Sequence, residues 1–246
     1  MTYRGLAPGA RIAGHVKVVG FAIGIALSVV PCAAQMPMPR MPMRLSANPS
    51  AVVAAEIAFA RLAQERGQWT AFRKTAAKDA VMFVPQMVTA QTWLKGRKDP
   101  PVSVKWQPQM VVMSCDGSIG VTTGAAQWPN GTHGYFTTVW RRDRKGGWQW
   151  VLDHGDIVAT PRPPADIIMT RLATCPRGMP PMPPPGKSAL PPPPAALATP
   201  GQGMSEDGSL KWTSDVRPDR SRRIVISLMT NGVYEDVLVN EVAAQP

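Results

Sequence analysis

Residues 147–158 read GWQWVLDHGDIV and carry the densest set of proton-moving groups in the chain. Asp153, His154 and Asp156 stand close together there, and His133 could join them from another segment. A carboxylate that orients an imidazole, and an imidazole that moves the proton, make general acid–base chemistry of the lyase or isomerase kind. The same residues also suit the polar exit of a buried strand, with the aspartates capping a turn and the histidine bonded to backbone. No separate nucleophile and no phosphate-cradling loop stands beside them. The cluster therefore names Asp153 and His154 as catalytic candidates and names no substrate.

Sulfur offers a second chemistry. MPMPRMPM gathers Met36, Met38, Met41 and Met43, and GMPPMP repeats the theme at Met179 and Met182. Flexible thioethers are soft ligands that select Cu(I), which makes Met36, Met38, Met41 and Met43 the metal candidates. Methionine–proline low complexity is the competing account.

The elements that must position these residues begin after an export signal. Arg4, Arg11 and Lys17 lead into VKVVGFAIGIALSVV (16–30), followed by Pro31 and CAA (32–34). A basic start, an apolar core and small residues before the cut predict a signal peptide over 1–34, cleaved near Ala34. The apolar run is shorter than the roughly 20 residues of a membrane-spanning helix. After cleavage no transmembrane segment is expected, and the protein is placed in the periplasm or outside the cell. The chain has a formal charge of +11, and the signal removes only basic charge. Export argues against nucleic acid as a partner of this basic surface, leaving anionic lipid, lipopolysaccharide or polymer. Cys115 and Cys175 are the cysteines left in the mature chain, and an oxidising compartment predicts a disulfide between them, with two buried thiols as the alternative. Two histidines and two such cysteines are a poor zinc set, and no cofactor is expected.

Along the mature chain, 35–47 is a Met/Pro-rich segment without folding signals. Asn48-Pro49 then caps a helix with Val52, Ala55, Phe59 and Leu62 on one stripe, stopped by Gly67. A second helix is predicted near 68–78, a short strand at 81–85 and a polar turn around Trp93. The period then changes to two, giving strands near 103–113, 118–127, 134–142 and 147–158, joined by Asp116-Gly117, Asn130-Gly131 and the basic loop RRDRKGG. Helices first and an antiparallel meander after make an α+β domain over 48–175. A linker over 176–200 holds eleven prolines. Beyond it, 201–246 reads as a small three-strand β-meander, too poor in apolar mass to stand alone, and it is expected to dock on the main domain.

The segments AFARLAQERGQWTAFRKTAAKDAVMFVP and GYFTTVWRRDRKGGWQWVLDHGD resemble the nuclear-transport-factor-2-like superfamily, in its exported branch. Ketosteroid isomerase, scytalone dehydratase and the SnoaL-like cyclases share that cone-shaped α+β fold. The resemblance covers roughly 50–160. It implies N-terminal helices packed on a curved antiparallel sheet, with a pocket at the open end bounded by Glu56, Phe59, Phe83, Trp93, Tyr135, Trp150 and His154. It also implies that Trp148 and Trp150 pack against helix 1 while His154 points to the pocket mouth, unless a bulge shifts the register. The isomerase pairing of an aspartate with a helix-1 tyrosine is missing, because Glu56 is the one inward-capable acid there and no tyrosine accompanies it. The expected function is an exported cone domain that binds a small apolar ligand or serves as an assembly module, with homodimerisation open. An enzyme using Asp153 and His154 and a periplasmic Cu(I)-binding protein are the alternatives.

Overall fold

The structure is a computed structural model that describes residues 47–175 and 201–244. The methionine candidates Met36, Met38, Met41 and Met43, the export signal and the proline-rich linker lie outside the described residues. Helix α1 spans Pro49–Arg66, and the Asn48 side chain accepts the Ala51 amide as its N-cap. Its buried stripe is Val52, Glu56, Phe59 and Ala63, the three-four spacing of one helix face. Gly67 then takes φ 99°, a left-handed conformation, and breaks α1 from α2 (Gln68–Thr75). Asp99 caps α2 from a distance, accepting the Thr70 amide at 2.9 Å and its hydroxyl at 2.6 Å.

Seven strands form the main sheet. In chain order they are β1 (Ala76–Phe83), β2 (Met87–Thr89), β3 (Lys105–Met113), β4 (Ile119–Gln127), β5 (His133–Arg142), β6 (Trp148–Ile157) and β7 (Met169–Leu172). Across the sheet the order is β2-β1-β6-β5-β4-β3-β7. The expected meander is present as β3 to β6, but the sheet is mixed: β1 runs parallel to β6, and β7 runs parallel to β3. Periodicity predicts that a strand exists, not which neighbour it takes, so the purely antiparallel reading is corrected. Residues 76–78, the expected end of the second helix, belong to β1 instead: pairing with β6 overrides the helix preference of Ala and Lys. Residues Ala90–Leu94 form a short helix, α3, where a turn was expected.

Two bulges shape the antiparallel part of the sheet. One lies in β3 between Pro108 and Met110, opposite Gly124, where an added Cβ would sit 1.9 Å from the Gln107 carbonyl oxygen. The other lies in β6: Val139 pairs with Leu152 while Trp140 pairs with Trp150, leaving Val151 extra.

The C-terminal strands β8 (Gly203–Met204), β9 (Leu210–Val216), β10 (Arg222–Thr230) and β11 (Val233–Val242) form a four-stranded antiparallel sheet, one strand more than expected. This sheet lies on the face of the main sheet away from the helices. Leu210, Trp212, Ile224, Ile226 and Leu228 belong to the same core as Phe59 and Trp150. Among the described residues no helix is long and apolar enough to cross a membrane.

Candidate functional site

The bulge at Val151 decides where the chemistry sits. Cross-strand partners share a face, and successive residues alternate. Trp150, paired with Trp140, and Asp153, paired with Thr138, face the helices. Leu152 and His154, paired with Val139 and Thr137, face the C-terminal sheet. The expected Asp153–His154 pair is thus not assembled, and His154 does not point to a pocket mouth.

On the helix side, Glu56 is fully buried and is held by three donors. The Trp106 indole donates to Oε1 at 2.6 Å, while Thr122 and the Trp140 indole donate to Oε2 at 2.5 and 2.9 Å. Burial raises its pKa above the ordinary carboxylate value, against the pull of those donors. Phe59 packs edge-on against Phe72, Trp106 and Trp140, with centroids 4.8, 5.0 and 5.9 Å away. Trp150 joins through Phe72 and donates to the Thr75 hydroxyl at 2.9 Å. Asp153 accepts from Thr138 at 3.1 Å. Burial first, and the charge of Glu56 second, push Asp153 up to about 7. Asp153 as a whole residue is half-buried, unlike Glu56, but its carboxyl is enclosed.

On the other side lies a separate polar cluster. Arg222 donates from Nε to His154 Nδ1 at 3.2 Å and from its terminal nitrogens to the Pro85 and Gly155 carbonyls. That bond leaves Nδ1 as acceptor, so the ring proton belongs on Nε2, 3.1 Å from the Tyr135 hydroxyl. Burial and the neighbouring guanidinium pull His154 down to about 3, and burial pushes Tyr135 up to about 12, so both stay neutral. Phe83 packs against the His154 ring at 5.5 Å.

The residues expected in one pocket therefore fall into two groups. Glu56, Phe59 and Trp150 share the aromatic interior, and Trp93 reaches it through Trp69 at 5.0 Å. Phe83, Tyr135 and His154 lie between the sheets. Two open grooves of about 400 and 390 Å³ lie along the outside of α1 and share Ile57 and Ile168. The first is floored by Trp106, whose indole holds Glu56. Sequence reasoning missed Trp106, Thr122 and Trp140. The alternation in KWQPQ, GVTTG and FTTVW placed them on strands but not on the face of Glu56. Cys115 and Cys175 form the expected disulfide, with Cα atoms 5.4 Å apart. Among the described residues no group of three His, Cys, Asp or Glu side chains is placed to hold a metal ion.

No protein-family model matches the sequence, and no curated protein does. Solved structures of NTF2-like and ketosteroid isomerase-like proteins do match in shape. A ketosteroid isomerase-like protein from Erwinia carotovora atroseptica is 15% identical, with 46% of this chain and 97% of that one covered at a TM-score of 0.38. An NTF2-like protein from Methylobacillus flagellatus is 12% identical, covering 48% and 100% at 0.36. One from Shewanella baltica is 8% identical, covering 44% and 92% at 0.33. Identities and TM-scores this low carry no activity and no residue role to this chain.

Proposed function

We propose that this is an exported binding domain that takes a small apolar molecule in the groove between α1, β3 and β7. The observation that carries the reading is the 400 Å³ groove with Ile57, Ala60, Trp106, Pro108 and Ile168 along it and Arg61, Gln64, Lys105 and Gln107 beside them. Its size falls within the roughly 300–1,000 Å³ of small-molecule sites, and apolar side chains with one anchored indole and a few polar groups match their chemistry. The indole is fixed from behind by Glu56, so the floor is preorganised and does not have to be ordered on binding. The signal-like residues 1–34 and the disulfide support export.

Native mass spectrometry of protein purified from its own compartment should show a retained molecule. Ile57→Arg, on the half-exposed wall, should abolish retention while melting temperature holds. Equal retention by the variant would sink the reading.

A second reading rests on Asp153. Asp153 is a partly buried residue, and its carboxyl, pushed up to about 7 chiefly by burial, is matched to acid–base work near neutrality, with Glu56 rather than His154 as its neighbour. Turnover of any substrate that disappears with Asp153→Asn and survives His154→Gln would favour it.

A further inference from the structure

Two stretches of the chain are near copies, MSCDGSI at 113–119 and MSEDGSL at 204–210. They join β3 to β4 and β8 to β9, and they build the same turn. Ser114 and Ser205 donate to the aspartate of their own turn, Asp116 and Asp207, at 2.6 and 2.7 Å. The amides of Ser118 and Ser209 donate to the same carboxylates at 2.8 and 3.0 Å. Gly117 and Gly208 supply the left-handed position, with φ of 71° and 72°. The turns then grip each other. The Asp116 amide donates to the Asp207 carboxylate at 2.9 Å, and the Asp207 amide to the Asp116 carboxylate at 3.0 Å. The Cys115 amide donates to the Ser209 hydroxyl at 2.8 Å, and the Glu206 amide to the Ser118 hydroxyl at 3.1 Å. Contacts that repeat with the partners exchanged are the mark of a two-fold interface.

The correspondence runs on through the strands. Superposing the turns sets Ile119 on Leu210, and the cross-strand partners follow in step. Val121 pairs with Val139 as Trp212 pairs with Ile226, and Thr123 pairs with Thr137 as Ser214 pairs with Ile224. The Arg142 amide donates to the Ser118 carbonyl, and the Met229 amide to the Ser209 carbonyl, both at 2.8 Å. The bulge is repeated as well. The β5–β6 register shifts between Val139 and Trp140, and the β10–β11 register shifts between their counterparts Ile226 and Ser227. Turn chemistry, register and bulge position are separate features, and a generic hairpin stack does not make all three coincide.

We infer that residues 203–242 are a tethered second copy of the main sheet's own meander, occupying the place that a second molecule of this chain would take. The covered face is buried: Val121, Val139 and Leu152 meet the side of the meander that carries Leu210, Ile224 and Ile226, each at most 1% exposed, beside the polar contacts of His154 with Arg222 and Thr137 with Asn240. Turn 114–118 has the same donors and acceptors as the turn it grips. Two main sheets can therefore form the clamp with each other, each Asp116 amide donating to the other copy's carboxylate. The meander blocks that self-association, and displacing it turns the chain into a dimer through the same face.

Light scattering on the full chain tests this. Asp207→Lys breaks the meander's turn and leaves the main sheet's turn intact. It should strengthen self-association by roughly tenfold or more over the unaltered chain. Adding Asp116→Lys should return it to the unaltered level, because the new interface needs that residue twice. A released chain that gains no self-association overturns the inference, as does a dimer that persists in the double variant. If Asp207→Lys fails to fold, Arg222→Gln with Asn240→Ala loosens the meander from its other end and is read the same way.

Discussion

Asp153 and His154 are adjacent in sequence and face opposite sides of the main sheet, Asp153 toward Glu56 and His154 toward Arg222. Alternation separates the two, and one extra residue in β6 decides which of them takes the helix side. Without the bulge at Val151, Trp150 and His154 would share a face, as simple alternation predicts. With it, Trp150 and Asp153 enter the aromatic interior together. His154 becomes a fastening between the two sheets rather than half of a proton relay.

The tryptophans of GWQWV should therefore differ. Trp150 is fully buried and hydrogen-bonded to Thr75, while Trp148 is only partly buried at the strand's start. Trp150→Ala is expected to cost roughly 3–5 kcal/mol and Trp148→Ala clearly less. Urea denaturation midpoints of the two variants compare them directly, and equal losses would contradict this placement.

Much of this was legible in the sequence, and the limits have physical causes. The Asn48-Pro49 cap, the Gly67 stop and the strands at 118–127 and 147–158 rest on local chemistry, and the structure has them within a residue or two. Partner choice was not legible: the parallel neighbours β1 and β7 depend on contacts far along the chain. The face of His154 was lost to the bulge, which has no composition of its own. The role of Glu56 was half legible. Its spacing on α1 put it inward, but its donors Trp106, Thr122 and Trp140 come from three different strands.

The disulfide closes a long segment, with 60 positions separating Cys115 from Cys175. Loop closure of that length restricts the unfolded chain by about 4 kcal/mol on the chain-entropy account. Replacing both cysteines with serine should lower unfolding stability by an amount of that order. Alkylation of the denatured, unreduced protein should label neither residue. Labelling of both would remove the bridge and its contribution together.

Export is tested at the N-terminus. Protein recovered from outside the cytoplasm should begin at or within a few residues of Gln35. Intact Met1 on the exported protein would refute cleavage.

The last expectation concerns pH, where two buried groups pull in opposite directions. Asp153 has a pKa of about 7 in the fold against an ordinary 3.8. Its raised value means the fold carries the full penalty of a buried charge above pH 7 and sheds it as pH falls toward 3.8. Glu56, also raised, adds to the same slope. His154 has a pKa of about 3 in the fold against 6.5 when free. The unfolded chain takes up a proton below 6.5 that the fold refuses, so stability is lost as pH falls from there toward 3. The two slopes oppose each other over most of the acid range, and the unaltered protein should show a shallow profile there. Asp153→Asn removes one of them, and the remaining His154 term should make that variant lose stability more steeply on acidification than the unaltered chain. His154→Gln should do the reverse and gain stability between neutral and mildly acid pH. Urea midpoints across that range measure both, and an Asp153→Asn profile parallel to the unaltered one would show that Asp153 does not hold a proton in the fold.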